Sequence, residues 1–136
     1  MKNIRKIMVG IDLSAYSVQT LEFACELAQD LKSELIIVNV INQRDVEAVR
    51  KVANVTSSFP SVEEWVKARE EERTETIKQL LGEISFERLP VNIVFRTGVP
   101  FQKLIEAVEE EGADLLVIGA KGRTNLAGVL LGQSAD

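Results

Sequence analysis

The sequence predicts an α/β fold: an open, mostly parallel, doubly wound sheet with helices on both faces. Three observations carry that prediction. Short β-branched apolar runs alternate with stretches of helical periodicity in the order β-α-β-α-β-α-β, with helices long enough to serve as crossovers. The run from Leu35 to Ile41 is nearly continuous in apolar residues, as a strand covered on both faces of a parallel sheet must be. The first and fourth runs lead into Asp12 and Gly119, and ligands of such sheets sit at the carboxyl ends of strands where strand order reverses.

Each element has its own signal. Lys6 to Ile11 is a β-rich run that stops at Gly10-Ile11-Asp12, with Ser14 and Ser17 available as helix caps. Val18, Leu21, Ala24 or Cys25, Ala28 and Leu31 then make one apolar helical face, which ends near Lys32-Ser33. After the strand at Leu35 to Ile41, Asn42 to Pro60 reads as a long loop containing a short helix at Asp45 to Val52. Ser61 reads as an N-cap, with Glu63 and Glu64 in the first turn and Ile77, Leu80, Leu81 and Ile84 on the apolar face at the far end. Val91 to Phe95 is a third strand. Pro100 opens a helix whose Phe101, Leu104, Ile105 and Val108 share a face, and Gly112 closes it. Leu115 to Ile118 is a fourth strand running directly into Gly119.

Composition narrows the function classes. The 136 residues, 46% hydrophobic and 27% charged, fit a single domain over 1–136. A net charge of -5 argues against nucleic acid or an anionic membrane as partner. The start lacks the apolar core of a signal peptide, and no run approaches the roughly 20 apolar residues of a membrane span, so a cytoplasmic location is expected. The lone Cys25 excludes an internal disulfide framework and falls on the buried face of the first helix. With no histidine in the sequence, Ser-His and Cys-His nucleophile systems and His-based metal centres are excluded. No carboxylate pair converges as an acid and base, so no catalytic residue and no protein metal site are expected. Glu70-Glu71-Glu72 and Glu109-Glu110-Glu111 read as solvated helix faces, because adjacent carboxylates point around a helix in different directions. Trp65 reads as a packing residue.

The richest segment is Gly119-Ala120-Lys121-Gly122, followed after nine residues by Gly132-Gln133-Ser134. Glycines allow close backbone approach and positive φ, and consecutive N–H groups form an anion nest. The segment is not a Walker loop, since Lys121 lies between the glycines and no Gly-Lys-Ser/Thr follows. A plain turn between strand and helix is the competing reading. Lys121 and Arg123 flank the segment, either as phosphate-attracting charges or as ordinary surface cations.

Over nearly all its length the chain resembles the universal stress protein family. The features that carry the resemblance are Met8-Val9-Gly10-Ile11-Asp12, the strand Ile36 to Ile41, Thr97-Gly98-Val99-Pro100, and Ala113-Asp114-Leu115-Leu116-Val117-Ile118-Gly119. The family's nucleotide pattern is Gly, two residues, Gly, nine residues, then Gly followed by Ser or Thr. Gly119, Gly122 and Gly132 match it. Gln133 stands in the Ser/Thr place and Ser134 follows one residue late, which removes one hydroxyl contact and leaves the backbone N–H groups of Gly132 and Gln133 as donors.

The resemblance implies a Rossmann-like sheet of order 3-2-1-4-5, with ATP across the ends of strands one and four. It places Asp12 beside the ribose and phosphates and Val40 against adenine through its backbone, with Ile11 among the nucleotide-binding residues. Gly119, Gly122, Arg123, Gly132, Gln133 and Ser134 complete the nucleotide set. Any Mg²⁺ would be held mainly by phosphates and water. Without the family match, Asp12 reads equally as a turn or cap residue and Val40 as a core strand residue.

Members of the family continue into a fourth helix and a fifth strand that commonly pairs in a homodimer. This sequence stops at Ala135-Asp136, so the reading is of order 3-2-1-4 with the fifth strand absent and the fourth strand left as an edge. A truncated chain, or a homodimer or other self-association covering that edge, is the expectation. The functional expectation is an ATP-binding stress-response or regulatory module, not an enzyme. Two readings of other classes stay open: a nucleotide-independent interaction protein of the same fold, and a slow ATPase.

Overall fold

The computed structural model describes residues 3–56, 58–84, 88–119 and 127–131, the last by their backbone. Its elements are β1 (Lys6–Gly10), α1 (Ser17–Leu31), β2 (Glu34–Asn42), α2 (Gln43–Val55), α3 (Val62–Glu83), β3 (Val91–Gly98), α4 (Pro100–Glu111), β4 (Leu115–Gly119) and β5 (Ala127–Leu131). The sheet has the order β3-β2-β1-β4-β5. Its first four strands are parallel, as the alternation of strands and crossovers requires.

Side-chain alternation along the strands builds the two cores. Ile7, Val9, Leu35, Ile37, Leu115 and Val117 pack against α1 and the end of α3 through Leu21, Ala24, Cys25, Ala28, Ile77 and Ile84. Met8, Ile36, Val38 and Leu116 point to the other face and meet Ala107 and Val108 of α4, with Ala113. A strand buried this way has no polar side to show, which is why β2 reads as a continuous apolar run.

The structure extends or corrects several sequence expectations. The short helix expected at Asp45 to Val52 is present and longer than read: α2 spans Gln43–Val55 and follows β2 directly, capped by Asn42, whose side chain accepts from Arg44 N. Neither Ser14 nor Ser17 caps α1, whose N-cap position is Tyr16 without a side-chain bond. Both serines are used inside the preceding turn instead. On α1 and α4 the predicted faces are narrower than the spacing implies, since Val18, Leu31, Phe101 and Ile105 are exposed. Ser61 does cap α3, as expected, in a reciprocal pair with Glu64 that holds the Glu64 carboxyl below its usual range through the Ser61 bonds.

The expected bare edge at β4 is also corrected. β5 runs antiparallel beside it, with Leu115 opposite Leu131 and Gly119 opposite Ala127. Ala127 to Leu131 is uncharged and apolar, and an antiparallel partner needs only a short connection, whereas a parallel one needs a crossover of about a dozen residues. The strand is hidden in the sequence because it falls inside the glycine spacing.

Cys25 lies in the core as predicted, and burial, then Glu22 and Glu26, pushes its thiol from an ordinary value of 9.0 to about 11. Native protein at about pH 8 is therefore expected to resist alkylation that proceeds at once after unfolding, measured by mass shift with iodoacetamide. The same shift fixes a sign: below about 9 both states hold the proton, and between about 9 and 11 only the folded state does, so stability falls across that alkaline window.

Candidate functional site

Strand order changes direction at β1, which has β2 on one side and β4 on the other. The carboxyl ends of these strands diverge there, and a cavity of about 550 Å³ opens between them. Register brings the walls together, since Gly10 pairs with Val38 on one side and Ile118 on the other. Ile11, Asp12, Val40 and Gly119, four of the sequence-predicted site residues, all line this cavity. Gly122, Arg123, Gly132, Gln133 and Ser134 lie outside the described residues, as does Lys121.

The β1–α1 turn is shaped by Asp12. Its Oδ1 accepts from Ser14 N at 2.9 Å and from Ser17 Oγ at 3.4 Å. Between these residues Leu13 adopts φ 61, a left-handed conformation that a non-glycine residue holds only where its surroundings fix it. The Asp12 side chain thus closes an Asx turn over a strained residue at the rim of the cavity.

β2 supplies an open backbone edge. Ile11 N donates to Val38 O at 3.0 Å, after which β1 has ended. Residues two apart in a parallel strand direct their N–H and C=O to the same side, so those of Val40 face the space beyond β1. The Ile11 carbonyl, which would continue the ladder, is taken instead by Asn39 Nδ2 at 2.8 Å. Asn39 is 1% exposed, and its Oδ1 accepts from Arg73 Nη1 of α3 at 2.8 Å. A carbonyl on one side and a guanidinium on the other leave the amide one orientation.

β4 contributes Ile118 and Gly119, and here a side chain is excluded. A Cβ on Gly119 would lie 2.5 Å from Thr20 Oγ1, which itself donates to the Tyr16 carbonyl. The opposite wall is apolar, with Val38, Val40, Pro100, Phe101 and Leu104. The cavity therefore offers a planar apolar group one wall, and a polar ligand the hydroxyls of Ser14, Tyr16 and Ser17 with carboxylates at Asp12 and Asp45.

Sequence reasoning did not single out Thr20, Asn39, Asp45, Arg73, Phe101 or Leu104 as cavity residues. For Asn39 a signal existed: it is the one polar residue within Leu35 to Ile41. Trp65, read as a packing residue, carries the Arg69 guanidinium 5.6 Å above its ring. The acidic runs engage arginines, Glu72 with Arg69, and Glu110 and Glu111 with Arg96.

The sequence pattern of the universal stress protein family matches residues 3–136. The chain belongs to that family. It is 28% identical over 146 residues to the universal stress protein MJ0577 of Methanocaldococcus jannaschii, covering 97% of this chain and 86% of that protein. The universal stress protein YxiE of Bacillus subtilis is 28% identical over 131 residues, with coverages of 93% and 86%. Among solved structures, MJ0577 superposes with TM-score 0.58 at 25% identity, over 98% of this chain and 87% of the other. UspA from Lactobacillus plantarum gives 0.61 at 16% identity, over 99% and 90%, a likeness of fold. A universal stress protein solved in complex with cAMP gives 0.55 at 20% identity, over 90% and 78%, likewise a likeness of fold.

Proposed function

We propose that the cavity binds an adenine nucleotide, ATP in the first place, and that this universal stress protein is a stress-response or regulatory binding module. The observation that carries the reading is the convergence of Ile11, Asp12, Val40 and Gly119 on one crevice at the strand-order switch. Asp12 stands at the rim for ribose and phosphates, and the open backbone edge of Val40 suits the donor and acceptor pattern of adenine. The apolar wall of Phe101 and Leu104 accepts a ring face. A relative solved with cAMP adds support for the nucleotide class. The glycine segment would cradle the phosphates through backbone N–H groups, with Mg²⁺ held by phosphates and water.

Binding without catalysis is the favoured mode, because the cavity wall offers hydroxyls and carboxylates but no histidine. Cytoplasmic residence and self-association as a homodimer accompany the proposal.

Mass spectrometry of ligand released from the purified protein, followed by ATP titration with and without Mg²⁺, tests it. Asp12→Ala is expected to weaken ATP binding about tenfold, ~1.4 kcal/mol, because the lost rim carboxylate would accept from the ribose hydroxyls and the Asx turn is lost with it, a loss larger than the relief of its repulsion on the phosphates. Purified protein that carries no nucleotide and fails to bind ATP would overturn the reading in favour of a nucleotide-independent interaction protein. Equal ATP affinity in wild type and Gly122→Val would remove the glycine segment from the site.

A further inference from the structure

We propose that Arg73 binds a phosphate of the ligand from the α3 side of the cavity, separately from the glycine segment. The inference rests on the nucleotide reading above. From Lys67 to Glu75, α3 is mostly charged, and an arginine there would ordinarily belong to a solvated face. Arg73 departs from that pattern. Its guanidinium reaches the carboxyl end of β2, bonds to Asn39 and lines the cavity.

The anchor is rigid. Asn39 is held at its other end by the Ile11 carbonyl, one residue from Asp12, so the guanidinium is tied through a buried amide to the turn that carries the rim carboxylate. The bond to Asn39 engages one of the five guanidinium N–H groups, and the fork geometry suits two-point contact with a phosphate. Pinning by a buried acceptor also removes much of the side chain's freedom before a ligand arrives.

Electrostatics give the position its consequence. Among the described lining residues Arg73 is the one cation, and Asp12 and Asp45 are carboxylates. An anionic ligand entering that wall meets two negative side chains, and among the described lining residues Arg73 is the positive charge set against them. A donor-only, permanently charged fork recognises phosphate more strongly than it recognises a neutral ring edge.

Calorimetric titration of ATP and of adenosine into wild type, Arg73→Met and Arg73→Lys tests the assignment. The Met variant is expected to bind ATP about tenfold more weakly and adenosine within about twofold of wild type, while Lys recovers part of the ATP loss because it keeps charge without the fork. Equal loss for ATP and adenosine would place Arg73 against the base or in the scaffold alone and overturn the proposal. Unchanged ATP affinity in both variants would overturn it as well, while leaving the nucleotide reading intact. A wild type that binds neither compound removes both. Should circular dichroism show the Met variant unfolded, the Lys variant decides: its ATP affinity must fall relative to its adenosine affinity.

Discussion

Gly119→Val is expected to reduce ATP affinity by about a hundredfold or more, ~2.7 kcal/mol, while far-ultraviolet circular dichroism stays that of the wild type. Gly119 ends β4 at the cavity, and even one added carbon would stand 2.5 Å from Thr20 Oγ1. Thr20 yields with difficulty, because its hydroxyl donates to the Tyr16 carbonyl at 3.0 Å and the residue is 6% exposed. Valine adds two further methyl groups that must go either into α1 or into the space proposed for ribose and phosphate. A branched residue is at home in a strand, so backbone pairing with β1 survives and the loss falls on binding. ATP affinity within about threefold of wild type would show that the close approach to Gly119 is not part of the site.

Ile37→Ala carries the largest expected cost in stability, about 2–5 kcal/mol by denaturant unfolding. Ile37 is fully buried in β2, pairs in register with Val9 and Ile93, and packs into the core that joins the sheet to α1 and α3. Removing its side chain leaves a hole bounded by strands whose hydrogen-bonded register prevents collapse, which places the cost in the upper part of the range. A loss below about 1 kcal/mol, with an unchanged denaturant slope, would contradict the central place given to β2.

The sequence was legible where one local signal decides. Ser61 and Glu64 announce the start of α3 three residues apart, and the apolar run Leu35 to Ile41 announces a strand with no wet face. It was less legible where two signals compete. The polar residues of Asn42 to Pro60 suggest a loop with only a short helix at Asp45 to Val52, yet the helix runs from Gln43 to Val55, with Val46 and Val49 a turn apart and both buried to hold α2 against its neighbours. The serines after β1 looked like helix caps, but Asp12 recruits both to its own turn, leaving Tyr16 at the cap position.

For the site, Asp12 and Gly119 were readable because each follows a strand end, and Val40 entered through the family resemblance. Arg73 had no comparable signal. Its partner is 34 residues away in sequence, and only the folded sheet shows that Asn39 spends its amide on the Ile11 carbonyl and turns its oxygen toward α3. Long-range polar pairs of this kind leave no period for a pattern to detect.

The crevice between β1 and β4 joins segments from opposite ends of the described chain, Gly10 to Asp45 on one side and Pro100 to Gly119 on the other. A molecule seated there acts as a non-covalent cross-link that the unfolded chain cannot form, so at free concentration L it adds RT ln(1 + L/Kd) to the stability of the native state by mass action. At a ligand concentration a hundred times its dissociation constant that contribution is about 2.7 kcal/mol, comparable with what a well-packed core side chain supplies. Under the proposed function, occupancy of the site by a nucleotide and persistence of the folded chain are linked equilibria, each drawing on the other.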